Sequence, residues 1–199
     1  MEDTYLTLAR QSEGSYKEKG SKFLAFAYPV NSEEDIKEYL ANLKKKYFDA
    51  RHHCYAYILD QDQSRFRAND DGEPNHSAGD PILGQIRSNN LTNVLIVVVR
   101  YFGGTKLGVG GLINAYRTAA VEAIDNNQIV QKVVKILIRI NFDYLQMNEV
   151  MKLVKDYNLE IRQQEFDNRC NFSLLVRLKQ KEELTEKLKK IATLQMIQS

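Results

Sequence analysis

The sequence predicts an α+β protein of two domains, and three observations carry that expectation. All ten glycines fall within the first 111 residues. Charge shifts in parallel, because 15 basic and 17 acidic residues precede Val130 whereas 13 basic and 9 acidic follow it. Strand-like runs also alternate with helical stripes along the whole chain, the pattern of mixed sheet-and-helix layers. The polar stretch Asp125-Asn126-Asn127-Gln128 marks the expected junction, dividing residues 1–128 from 129–199.

In the first part, Gly20 to Val30 reads as a strand, and Ser32-Glu33-Glu34-Asp35 offers a capping-box-like helix start. Ile36, Leu40, Leu43 and Tyr47 give that helix its buried stripe. Arg51 to Asp60 and Ser64 to Asn69 read as a hairpin. Pairing Asp60 with Ser64 sets Ile58 opposite Phe66 and Ala56 opposite Ala68, with Tyr57 against Arg67 and Leu59 against Arg65 on the other face. Asp80-Pro81 supplies an N-cap and a first-turn proline for a helix carrying Ile82, Leu83 and Ile86. Val94 to Val99 is a continuous apolar strand, central in its sheet, and Leu112 to Ile124 reads as a helix with Leu112, Tyr116, Ala119 and Ala123 inward.

The second part reads as strand (Val133 to Ile140), helix (Gln146 to Tyr157), strands (Leu159 to Phe166 and Phe172 to Leu178) and helix (Glu182 to Ala192), with a short strand within Leu194 to Gln198. This βαββα(β) order predicts a ferredoxin-like sandwich, a sheet with two helices on one face.

Composition excludes several classes. With 43% hydrophobic and 27% charged residues the chain has the make-up of a folded protein rather than a disordered one. No apolar run approaches the ~18 residues of a membrane helix, and Met1-Glu2-Asp3 places acids where an export signal needs basic residues. Cys54 and Cys170 form no disulfide framework or zinc motif. The expected location is therefore cytoplasmic, with no membrane partner. The formal charge of +2 lacks the excess that by itself announces nucleic-acid binding, so partners must be read from local patches.

Three patches carry potential chemistry. Arg100-Tyr101-Phe102-Gly103-Gly104-Thr105-Lys106-Leu107-Gly108-Val109-Gly110-Gly111 runs from a buried strand through five glycines to a helix. Backbone amides of Gly103, Gly104, Gly108, Gly110 and Gly111, with Arg100 and Lys106, suit an anion or phosphate; the same glycines equally serve positive-φ turns and close packing. No dinucleotide fingerprint exists, since Ile113 stands where glycine is needed, and no P-loop exists, since Val109 follows Gly108. Asp70, Asp71 and Glu73 lie around an Asp-Gly turn, where they could hold a divalent cation or merely cap the turn. On the hairpin, Arg51, His53, Tyr55 and Tyr57 alternate onto the face that carries Arg65 and Arg67, a set suited to stacking RNA bases and contacting phosphates if the face is open. His52 falls on the opposite, apolar face and reads as a hydrogen-bonded core histidine. No catalytic nucleophile is identifiable, and no cofactor is expected unless the acidic turn binds metal.

Arg51-His52-His53-Cys54-Tyr55-Ala56-Tyr57, Asp70-Asp71-Gly72-Glu73-Pro74, Ala78-Gly79 with Pro81-Ile82-Leu83, and Leu91-Thr92-Asn93-Val94 through Lys106-Leu107-Gly108 together resemble the IMPACT family in its bacterial YigZ form. The resemblance covers residues 15 to 125. It implies an N-terminal domain like the second domain of a small-subunit ribosomal protein and a C-terminal domain like domain V of elongation factor G. In eukaryotes the family is tied to translational control through binding a regulator of an initiation-factor kinase. The resemblance thus implies RNA or the ribosome as partner, with a protein partner as a further option, and no catalysis; the alternative is a metal-assisted hydrolase of a phosphorylated or peptide-like substrate. One departure is Asn75-His76-Ser77, where bacterial relatives carry a Ser-Gly-Thr-like segment.

Overall fold

A computed structural model describes residues 3–197. By contacts the chain forms two units, one over Tyr5–Lys132 and the other over Val133 onward together with Asp3 and Thr4. This boundary lies four residues beyond Gln128 because Ile129–Val133 (β7) pairs with the first strand, Thr4–Leu8 (β1).

The larger unit is built on β2 (Ser12–Glu18), β3 (Ser21–Pro29), β4 (His52–Leu59), β5 (Arg65–Asn69) and β6 (Val94–Tyr101), ordered β2-β3-β6-β4-β5. All neighbours run antiparallel. β6 is central, as its unbroken apolar run requires, and is buried from Val94 to Arg100. The hairpin register is the expected one, with Ala56 opposite Ala68 and Ile58 opposite Phe66.

Helices cover both faces of this sheet. On one, α1 (Glu33–Lys46) starts in a capping box between Ser32 and Asp35 and packs Ile36 and Leu43 with Phe26, Tyr28, Leu95, Val97 and Val99. On the other, α2 (Gly79–Ser88) and α3 (Gly108–Asp125) pack Ile82, Ile86, Tyr116 and Ala119 over Phe23, Ala25, Cys54, Ile96 and Val98. Two helix starts differ from the sequence expectation. Asp80 is not the N-cap of α2; that position is Ala78, and the Asp70 carboxylate accepts the Ala78 and Gly79 amides at 3.0 and 2.8 Å. α3 begins at Gly108 rather than Leu112, so the end of the glycine loop is helical.

The smaller unit runs β8 (Lys135–Phe142), α4 (Met147–Asp156), β9 (Glu160–Phe166), β10 (Cys170–Arg177), α5 (Lys181–Leu188) and β11 (Gln195–Ile197), its sheet ordered β11-β8-β10-β9. Val150, Val154, Leu184 and Leu188 of the helices pack on Ile140, Phe142, Phe172, Leu174 and Val176, so both helices lie on one face. Asp3 is buried in this unit and paired with Arg177, whose guanidinium hydrogen-bonds its carboxyl and holds it below the usual range.

Candidate functional site

The register of β4 on β6 sets His52 opposite Arg100, so both side chains leave the end of the sheet on the α3 side. There the loop after β5 and the loop after β6 meet. Together with Arg51 they enclose a cleft of about 480 Å³ lined by Arg51, His52, Glu73, Pro74, Arg100, Phe102, Lys106, Leu107, Gly108, Val109 and Leu112. The acidic turn and the glycine loop therefore share one site.

A buried hydrogen-bond chain runs inward from the cleft residues Arg100 and Glu73. Arg100 Nη1 donates to Glu73 Oε1 at 2.5 Å, and the Tyr116 hydroxyl donates to the same oxygen at 2.7 Å. Cys54 Sγ lies 3.3 Å from the Tyr116 oxygen and 3.0 Å from the Asp70 carbonyl. Glu73 and Arg100 are 9% and 6% exposed, so the pair is held in a low-dielectric setting. Burial pushes both the Cys54 thiol and the Tyr116 phenol up, which keeps the thiol protonated and a poor nucleophile. Arg100 also lies over the Phe23 and Phe102 rings, 5.5 and 5.7 Å from their centroids. Its Nε is buried without a hydrogen-bond partner among the described residues.

The mouth is different in character. Arg51 and Lys106 are exposed, and neither takes part in an ion pair among the described residues. α3 opens beside them with no side-chain cap and no acid in its first turn, leaving the amides of that turn available. His52 Nδ1 donates to the Asp71 carbonyl, which only accepts, at 2.8 Å.

The expected residues meet three fates. Arg51, Arg100, Lys106 and Gly108 come together in the cleft. Gly103 donates its amide to the Ser21 hydroxyl at 3.1 Å, and a Cβ there would stand 1.9 Å from the Gly20 carbonyl carbon and 2.1 Å from the Ser21 nitrogen, so this glycine lets the loop lie against the β2–β3 turn. Gly104 and Gly108 have φ of +89° and +71°, and Gly111 packs against Leu107. A Cβ on Gly110 meets open space.

The expected RNA-contact face is partly covered. His53 is buried, and Tyr55 and Tyr57 are half-buried against the apolar layer under α1. Arg65 is engaged by Asp60 at 2.5 Å, leaving Arg67 exposed at the sheet edge away from the cleft residues. The reason is chain order, since the crossover from β3 to β4 is a helix that must cover one face.

The carboxylates that the metal alternative would use are each engaged in hydrogen bonds. Asp70 accepts the amides of His76, Ala78 and Gly79, Asp71 accepts the His53 amide at 2.7 Å, and Glu73 is committed to Arg100 and Tyr116. Among the described residues no three potential ligands converge. His76 sits in this loop at φ +64°, in the left-handed region that favours glycine.

Sequence reasoning placed His52 in the core and gave Tyr116 only a packing role. Their places in the site follow from the β4–β6 register and the depth of the acidic turn, neither of which local spacing encodes. Phe102 was legible as an aromatic within the glycine loop, yet its place on the cleft wall was not.

His53 yields a pH prediction. Burial pushes its pKa below 6.5, partly opposed by Asp71. The unfolded chain then binds the extra proton first as pH falls, so His53 makes stability decline below about pH 6.5, by at most ~1.4 kcal/mol per pH unit. Urea unfolding across the ~5.5 to ~7.5 range should show this slope in the parent protein and a shallower one in His53→Leu.

The family model described as the Impact N-terminal domain matches residues 19–124. An IMPACT family member of Haemophilus influenzae is 34% identical over 177 residues, 85% of each chain. The IMPACT family member YigZ of Escherichia coli is 35% identical over 108 residues, 53% of each chain. A crystal structure of a hypothetical protein superposes with a TM-score of 0.77 at 25% identity, covering 100% of this chain and 98% of the other.

Proposed function

The chain belongs to the IMPACT family, and from that premise we propose that it is a two-domain cytoplasmic binding protein that associates with RNA or the ribosome and modulates translation without catalysis. The observation that carries the reading is the cleft mouth, where exposed Arg51 and Lys106 stand without carboxylate partners beside the uncapped start of α3. Cations so placed attract phosphate and exchange it freely, which suits backbone contact rather than chemistry on a substrate.

In this reading the N-terminal unit resembles the second domain of a small-subunit ribosomal protein. The C-terminal unit is ferredoxin-like and resembles domain V of elongation factor G, in keeping with its βαββαβ order. A protein partner would use the sheet face that α4 and α5 leave free. The hydrolase alternative loses support, because its three carboxylates are spent on separate hydrogen bonds.

Co-sedimentation with ribosomes and with total RNA at low salt tests the reading. The parent protein is expected in the pellet, and Arg51→Ala with Lys106→Ala is expected largely in the supernatant. These exposed positions are chosen over Arg100, whose loss would also unbalance the buried Glu73. A parent protein that stays wholly in the supernatant with both would overturn the reading.

A further inference from the structure

Resting on the binding role proposed above, we propose that the cleft captures a terminal nucleoside phosphomonoester, with the phosphate among Arg51, Lys106 and the first turn of α3 and the base against Phe102. Four observations point to this ligand. First, the charge count favours a dianion. Glu73 is balanced by Arg100, so Arg51 and Lys106 remain as two uncompensated cations next to the positive end of an 18-residue helix. A terminal phosphate carries about −1.5 to −2 at neutral pH, whereas an internal phosphodiester brings a single charge.

Second, Arg100 lines the same cleft with its Nε buried and without an acceptor. An unpaired buried donor costs about 1–3 kcal/mol, so an acceptor in the cleft rewards a turn of the Arg100 side chain that brings this nitrogen to it. Third, the remaining wall is apolar. Pro74, Phe102, Leu107, Val109 and Leu112 supply the flat and aliphatic surface that a base requires, and Phe102 is 45% exposed. A bare anion site would not need that wall. Fourth, the cleft volume of about 480 Å³ lies within the range of pockets that enclose a small organic ligand.

The chemistry is shared by a free nucleotide and by an RNA end, and the experiment separates them. Binding of the full chain is measured by fluorescence anisotropy to a short single-stranded RNA bearing a 5′-phosphate, a 3′-phosphate or hydroxyls at both ends, with adenosine monophosphate as competitor. A phosphorylated end is expected to bind at least ~10-fold tighter than the hydroxyl form, and Phe102→Ala to weaken that binding ~10-fold through lost stacking. Lys106→Ala should erase most of the preference, while Lys37→Ala, exposed near the start of α1 on the other face of the sheet, should leave it intact. Circular dichroism of each variant confirms that the fold is retained.

Equal binding of phosphorylated and hydroxyl oligomers would overturn end capture and leave the RNA reading standing. Binding of adenosine monophosphate with none of any oligomer would support the cleft's ligand chemistry and overturn the RNA reading. Failure of both the mononucleotide and every oligomer to bind would overturn the two together.

Discussion

Glu73→Ala is expected to destabilise the protein by about 3–5 kcal/mol, because it leaves the Arg100 guanidinium buried without its counter-charge. Arg100 is 6% exposed, so little of its charge is solvated. The Tyr116 hydroxyl, which donates to the same carboxylate, loses its acceptor at the same stroke. Removing both charges should be far milder: Glu73→Leu with Arg100→Met keeps volume in place and takes away the uncompensated ion, so much of the loss is recovered. Urea unfolding of the single and double variants measures the difference. A Glu73→Ala variant within ~1 kcal/mol of the parent would show that the pair is not held in a low-dielectric wall.

The second large effect is steric. Gly103→Ala places a methyl group 1.9 Å from the Gly20 carbonyl carbon and 2.1 Å from the Ser21 nitrogen, and both atoms are backbone with no side chain to swing aside. The loop after β6 must then lift from the β2–β3 turn, breaking the bond from the Gly103 amide to the Ser21 hydroxyl. A cost of about 2–4 kcal/mol is expected, at the upper end for a point substitution. Gly110→Ala is the control. It lies in the first turn of α3 with open space around its Cβ, so the same change there should be neutral or stabilise by up to ~1 kcal/mol. Thermal melts of the two variants should move in opposite directions or differ by several degrees.

The contrast between these two glycines shows where sequence reading ends. Both sit in one glycine-rich loop, and nothing in the local pattern separates the one that packs from the one that does not. What was legible depended on local rules. The β4–β5 register follows from side-chain alternation across one turn, and the α1 start follows from Ser32 and Asp35 three residues apart. β2 was not legible, because Ser12–Glu18 has almost no apolar residues and acquires its alternating burial from the neighbours it packs on. The cap of α2 was misassigned for a related reason: Asp70 reaches Gly79 from nine residues upstream, beyond the range of local capping patterns.

The candidate site divides along the same line. Arg100 and Lys106 were recognisable as charges flanking a helix start. Their meeting with Arg51 required the pairing of β4 with β6, a contact between segments far apart in sequence. The partial cover of Tyr55 and Tyr57 was not legible, because the alternation that puts them on one side says nothing about whether a helix lies over them.

The central claim is that the cleft mouth binds phosphate through Arg51 and Lys106. Its most direct test is the salt dependence of single-stranded RNA binding, plotted as log affinity against log salt for the parent and for Arg51→Ala with Lys106→Ala. Each phosphate contact contributes about 0.7 to the slope on a single strand, so the double variant should flatten it by about 1.4. An unchanged slope would place the contacts elsewhere on the molecule and contradict the account.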